Sequence, residues 1–122
     1  MGIQFDQALG LHVDALKLRA ERSKVLASNL ANATTPGFQA RDIDFQASMA
    51  QLADGGEDGM SAETDGAVMG YRRPNQPSQD GNTVELGVEQ AAFSQNGSDF
   101  QTSLAFLNIK LKGLAKAING TS

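Results

Sequence analysis

Apolar residues recur along two stretches of the chain in alternating steps of four and three. In the first, Leu9, Val13, Leu16, Ala20, Ser23, Ala27 and Leu30 form one row, with Ser23 its polar member. This is the spacing of a coiled-coil seam. A second row, Leu11, Ala15, Leu18, Arg22, Val25 and Asn29, lies about 180° away around a helix. The polar strip between the rows (Gly10, Asp14, Lys17, Glu21, Lys24 and Ser28) is narrow. An ordinary surface helix buries one stripe, whereas this one offers two and so expects neighbours on both sides. The pattern predicts a helix over about residues 5–33.

In the second stretch, Phe93, Gly97, Phe100, Leu104, Leu107, Leu111, Leu114 and Ile118 keep the same alternation and predict a helix over about residues 89–118. Phe106, Ile109, Gly113 and Ala117 mark its other face. Lys110, Lys112 and Lys116 suit the C-terminal end of the helix dipole, and Asn119-Gly120 is a stop. Asn96-Gly97 conflicts locally with helix, but the row runs in phase through Gly97, which favours one helix with a kink point there.

Between the helices the pattern changes. Thr35 is pushed toward extended geometry by Pro36, and Pro36-Gly37 suits the central positions of a type II turn. Asp44 reads as the N-cap of a short helix with Phe45, Met49 and Leu52 on one face. Residues 54–70 are rich in glycine and acid, with too little apolar content to offset ordering, and read as a flexible loop. Residues 71–88 read as extended. Pro74 and Pro77 block helix, Asp80-Gly81 marks a turn, and Val84, Leu86 and Val88 alternate like a short strand. The expected architecture is mainly α, a single domain over 1–122. It comprises a helix about 5–33, a turn and short helix over 34–53, a loop over 54–70, an extended segment over 71–88 and a helix about 89–118.

Composition narrows the function. The chain has 122 residues, 40% of them hydrophobic and 13 of them glycine, enough for a small core only. Of the net charge of −4, Asp54, Glu57, Asp58, Glu63 and Asp65 contribute five negative charges with no Lys or Arg among residues 54–70. The remainder is almost neutral, which argues against a nucleic-acid partner. Disulfide and thiolate chemistry are excluded because there is no cysteine. No apolar run is long enough for a membrane span, and Met1-Gly2-Ile3-Gln4-Phe5-Asp6 lacks the character of a cleaved secretory signal.

Candidate chemistry is sparse. Asn29 and Asn32, one turn apart, either cap their own helix or bond to a neighbouring chain. Asp54, Asp58, Gly59 and Asp65 imitate a calcium loop imperfectly, because Gly56 supplies no ligand and the twelfth position is Asp rather than Glu. His12 has no triad or metal companions and reads as a helix-surface residue. Arg72 and Arg73 beside Tyr71 are best read as ion-pair formers with an acidic neighbour, within or between chains. No catalytic constellation, cofactor motif or small-molecule site can be assembled.

Several segments carry a resemblance. Asn29-Leu30-Ala31-Asn32-Ala33-Thr34-Thr35-Pro36-Gly37-Phe38 resembles the signature of the bacterial flagellar rod and hook proteins. Ala40-Arg41-Asp42-Ile43-Asp44-Phe45, Tyr71-Arg72, Gln76-Pro77-Ser78 and Asp80-Gly81-Asn82-Thr83-Val84 are similar to the shortest, proximal-rod branch of that family. Gln79 and Gly97 depart from what that branch would favour. The resemblance implies a non-enzymatic structural subunit without cofactors, arranged in many copies around an export channel, where it forms part of the drive shaft between the membrane ring and the distal rod and hook. It implies as partners copies of itself, the other rod proteins, the membrane-ring protein, the ring–rod adaptor and, in transit, the flagellar type III export apparatus. The location it implies is the periplasmic rod of the basal body, reached without a cleaved signal. The assembly residues implied are Asn29, Leu30, Asn32, Thr35, Pro36, Gly37, Phe38, Asp80, Gly81, Asn82 and Thr83. The resemblance also implies that the two long helices pair as an antiparallel coiled-coil hairpin, with the rows through Leu9, Val13, Leu16 and Leu30 and through Phe93, Phe100, Leu104, Leu107, Leu111, Leu114 and Ile118 as its packing seams. A soluble helical adaptor or export chaperone of the same secretion system is the alternative. It would be folded alone and would not polymerise.

Overall fold

The computed structural model describes residues 2–53 and 68–120. The calcium-like pattern and most of the acidic loop lie outside these residues. Two long helices, α1 (Gly2–Ala31) and α3 (Leu86–Asn119), are connected through β1 (Arg41–Ile43), α2 (Phe45–Ala53) and β2 (Met69–Tyr71). At 1.5 Å per residue each long helix extends about 45–50 Å.

The long helices run antiparallel. Asn29 meets Glu89, the Arg19 carbonyl meets Asn96, and His12 lies against Phe106 with ring centroids 5.6 Å apart. Positions fall along α1 as they rise along α3, the hairpin that the resemblance implies. α3 is continuous through Gly97. It begins at Leu86 rather than near Glu89, so the alternation of Val84, Leu86 and Val88 does not mark a strand. Extended backbone stops at Glu85 (φ −108°, ψ 107°), whose carbonyl accepts the Glu89 N–H at 2.9 Å. Leu86 is exposed, so its place in the alternation reflects no sheet face.

β1 and β2 form an antiparallel ribbon in the register Arg41↔Tyr71, Asp42↔Gly70 and Ile43↔Met69. Neither three-residue strand is long enough to show alternation in sequence. α2 starts as expected, with Asp44 Oδ1 accepting the Ala47 N–H at 3.0 Å. Buried Ser48 then ties α2 to the ribbon. Its hydroxyl donates to the Asp44 carbonyl at 2.7 Å and accepts the Val68 N–H at 2.8 Å.

The core is unusual in composition. Among the described residues its buried apolar side chains are Leu18, Leu26, Ala40 and Ile43, and they are matched by buried Asn29, Ser48, Asn82, Glu89 and Asn96. Burying polar groups costs free energy unless each finds a partner. Where those partners lie defines the centre of the molecule.

Candidate functional site

Two of the sequence segments that carry the resemblance, around Thr35–Phe38 and Asp80–Val84, meet in space. Thr35-Pro36-Gly37-Phe38 closes a turn with the Phe38 N–H on the Thr35 carbonyl at 3.2 Å, and Gly37 takes φ +76° as a type II turn requires. Facing it, Gly81 takes φ +80°, and a Cβ there would lie 3.5 Å from the Gly37 Cα. Gly37 N–H donates to the Asp80 carbonyl at 2.9 Å, and Thr83 N–H donates to the Phe38 carbonyl at 2.9 Å. The Thr83 hydroxyl accepts the Ala40 N–H at 2.8 Å. The loops are therefore laced together by backbone and side chain.

Asn82 completes the closure of α1. Carbonyls beyond the last helical turn have no partner within the helix. The two hydrogens of the Asn82 Nδ2 are shared among the carbonyls of Asn32, Ala33 and Thr35 at 2.9, 3.0 and 2.8 Å, while its Oδ1 accepts the Val84 N–H at 2.8 Å. Asn32 caps its own helix, its Nδ2 donating to the Ser28 carbonyl at 2.8 Å. The cap of α1 is thus shared between Asn32 and a residue fifty positions away in sequence.

Asn29 acts differently. Fully buried, it pairs with the Arg41 backbone as another strand would. Its Nδ2 donates to the Arg41 carbonyl at 2.7 Å and its Oδ1 accepts the Arg41 N–H at 3.1 Å. The same Nδ2 donates to Glu89 Oε2 at 2.9 Å. Glu89, with no exposed surface, faces Arg72, the Nε–Oε1 separation being 2.7 Å. That contact is close but not aligned as a hydrogen bond. The Arg72 Nη2 donates to Asp42 Oδ2 at 2.8 Å, and Arg22 grips the same carboxylate through Nε at 2.9 Å and Nη2 at 3.1 Å. One chain of charges, Glu89–Arg72–Asp42–Arg22, therefore joins α3, the ribbon and α1. Burial alone would raise the Asp42 carboxyl. The Arg22 hydrogen bond and charge, the Ile43 N–H and the Arg72 charge outweigh it and hold that carboxyl below its ordinary value. Arg22 is held above its own, chiefly by its hydrogen bond to Asp42.

A second polar crossing lies further along the hairpin. Buried Asn96 donates from Nδ2 to the Arg19 carbonyl and the Ser23 hydroxyl, both at 2.8 Å. The Arg19 guanidinium reaches Asp99 at 3.4 Å and stacks 4.2 Å above the Phe45 ring.

Of the sequence-predicted residues, Asn29, Asn32, Thr35, Gly37, Phe38, Asp80, Gly81, Asn82 and Thr83 come together here. Pro36 is exposed within the turn, and Leu30 is half-buried beside it. The apolar rows divide. Leu9, Leu16, Phe100, Leu107 and Leu114 are half-buried, whereas Val13, Phe93, Leu104, Leu111 and Ile118 are exposed. The fully buried positions of α1, Leu18, Leu26 and Asn29, lie toward its second row. Sequence reasoning missed Arg22, Asp42, Ser48, Glu89 and Asn96 as partners. Arg22 and Asn29 did carry a signal, since they are the polar members of an otherwise apolar row. The ion pairing expected of Arg72 is present within the chain.

Among the described residues no group of His, Cys, Asp or Glu is placed to hold a metal ion, and no helix is long and apolar enough to cross a membrane. The arrangement joins segments distant in sequence.

Comparison with known proteins gives one consistent family. The family described as "Flagella basal body rod protein" matches residues 9–39. Three similar chains are each named "Flagellar basal body rod protein FlgB". That of Aeromonas hydrophila is 43% identical over 98% of both chains. That of Cereibacter sphaeroides is 45% identical over 95% of this chain and 97% of its own. That of Escherichia coli K12 is 38% identical over 94% and 95%.

Proposed function

Because the chain belongs to the FlgB family of flagellar basal body rod proteins, we propose that it is a structural subunit of the proximal rod that polymerises through its terminal helices around the export channel. Its role is structural, its place is the flagellar basal body, and it assembles with other rod components. In this reading it forms part of the drive shaft between the membrane ring and the distal rod and hook. Its neighbours are further copies, the other rod proteins, the membrane-ring protein and the ring–rod adaptor. It reaches the periplasm through the flagellar type III export apparatus without a cleaved signal.

One observation carries this reading. The hairpin leaves large apolar side chains on α3 open to solvent: Phe93, Leu104, Phe106, Ile109 (68% exposed), Leu111 and Ile118 (75% exposed). On α1, Leu11 and Val13 are exposed as well. The α3 residues form two rows on different sides of that helix, Phe93, Leu104, Leu111 and Ile118 along one and Phe106 and Ile109 along the other, and open apolar rows of this kind mark interaction faces. The rows keep helical spacing, so helices of neighbouring subunits are their natural cover. Contacts between unlike faces of identical chains generate open helical arrays. The polar joint supports the same role by fixing the angle between the hairpin and the segment that carries the ribbon.

Leu111→Asp tests the proposal. The residue is half-open in the isolated chain, so the variant keeps its helical circular dichroism. It is expected to be exported and yet to leave cells non-motile, because the rod does not assemble. Normal swimming by this variant would refute assembly through this face.

A further inference from the structure

The outward side of the ribbon takes no part in the joint. Arg41 and Tyr71 are direct cross-strand partners, and such partners project to the same face of a ribbon. Both are exposed, Tyr71 by 70%. With Gly37, Phe38 and Gln39 they line an open groove of about 310 Å³. Arg73, also exposed, follows two residues after Tyr71. Arg19, Arg22 and Arg72 each pair with a carboxylate, whereas Arg41 and Arg73 pair with none among the described residues. Asp42 points to the other face and is held by Arg22 and Arg72. Asp80 lies near the rim through the Gly37 N–H, but its Oδ1 already accepts the Asn82 N–H at 3.1 Å.

We propose that this groove docks an acidic, extended segment of a partner protein chain. An open groove leaves a small ligand largely in water, whereas a chain segment continues its contacts beyond the groove. The Phe38 and Tyr71 side chains line the groove, and the guanidinium of Arg41 within it and that of Arg73 beyond its edge, neither paired with a carboxylate among the described residues, supply charge-assisted donors that match carboxylates. Two arginines on a chain of net charge −4 make no surface for a nucleic acid. The groove lies on the ribbon, apart from the helix faces invoked for assembly, so it stands or falls independently of them.

Tyr71 is the chain's single tyrosine and there is no tryptophan, so its emission reports on the groove alone. The full chain is titrated with a synthetic decapeptide alternating Glu and Ser, and with its Gln–Ser counterpart. The Glu peptide is expected to change Tyr71 emission saturably, the Gln peptide to leave it unchanged, and added salt to weaken the response. Arg41→Gln and Arg73→Gln, made separately and checked for helix content, are each expected to weaken binding about fivefold to tenfold. No response would overturn the proposal, as would an equal response to the Gln peptide. Binding indifferent to both substitutions would also overturn it, and would place the peptide on the Lys110, Lys112 and Lys116 surface instead.

Discussion

Asn82 holds the two signature loops together with one side chain. Its amide spans three carbonyls at the end of α1 and the N–H of Val84. Asn82→Ala is expected to cost about 1–2 kcal/mol, because it removes the hydrogen bonds of a buried side-chain amide to both loops. Asn82→Asp should be no better, since a carboxylate cannot donate to carbonyls. Thermal unfolding of the two variants checks this, and an unchanged midpoint for Asn82→Asp would contradict it. Asp42 gives a second prediction at this scale. Its carboxyl titrates lower in the folded chain than in the unfolded one. Its stabilisation is therefore complete above the ordinary carboxylate pKa, about 3.9, and is lost as pH falls through the lowered folded value. The stability gap between the natural chain and Asp42→Asn, measured by urea unfolding, should be wide at neutral pH and narrow in acid. A gap constant with pH would contradict this.

At the scale of elements, Glu89 and Arg72 fasten α3 to the ribbon, and Asn29 fastens α1 to both. Removing one member of a buried pair leaves an uncompensated charge, so Glu89→Ala is expected to cost about 3 kcal/mol. Adding Arg72→Ala to Glu89→Ala should cost less than the two single changes summed, because the groups share one network. Chemical denaturation of the singles and the double checks the coupling, and strict additivity would contradict it. The long elements were legible in sequence because four-three spacing over some thirty residues has one physical reading. The caps at Asp44 and Gly120 and the turns at Gly37 and Gly81 were legible because each follows from local geometry. The ribbon was not, since three-residue strands carry no alternation and are fixed by partners distant in sequence. Glu89 was hidden for a similar reason. A glutamate in the first turn of a helix suits the dipole and ordinarily faces water, and only the meeting of Arg72 and Asn29 makes it a buried hub.

For the whole molecule, the balance of surfaces matters most. The charges of the polar joint are paired within one chain, whereas large apolar side chains on both long helices lie open. A chain with few buried apolar side chains gains stability when neighbours cover such faces. This division separates what shapes the subunit from what joins it to others. A density map of the assembled basal body, resolved to side chains, tests it most directly. The account predicts Phe106, Ile109, Leu111 and Ile118 buried against helices of neighbouring subunits, with the contacts among Asn29, Glu89, Arg72 and Asp42 retained inside each subunit. A map showing those apolar side chains in solvent, or the joint opened and its charges paired across subunits, would contradict it.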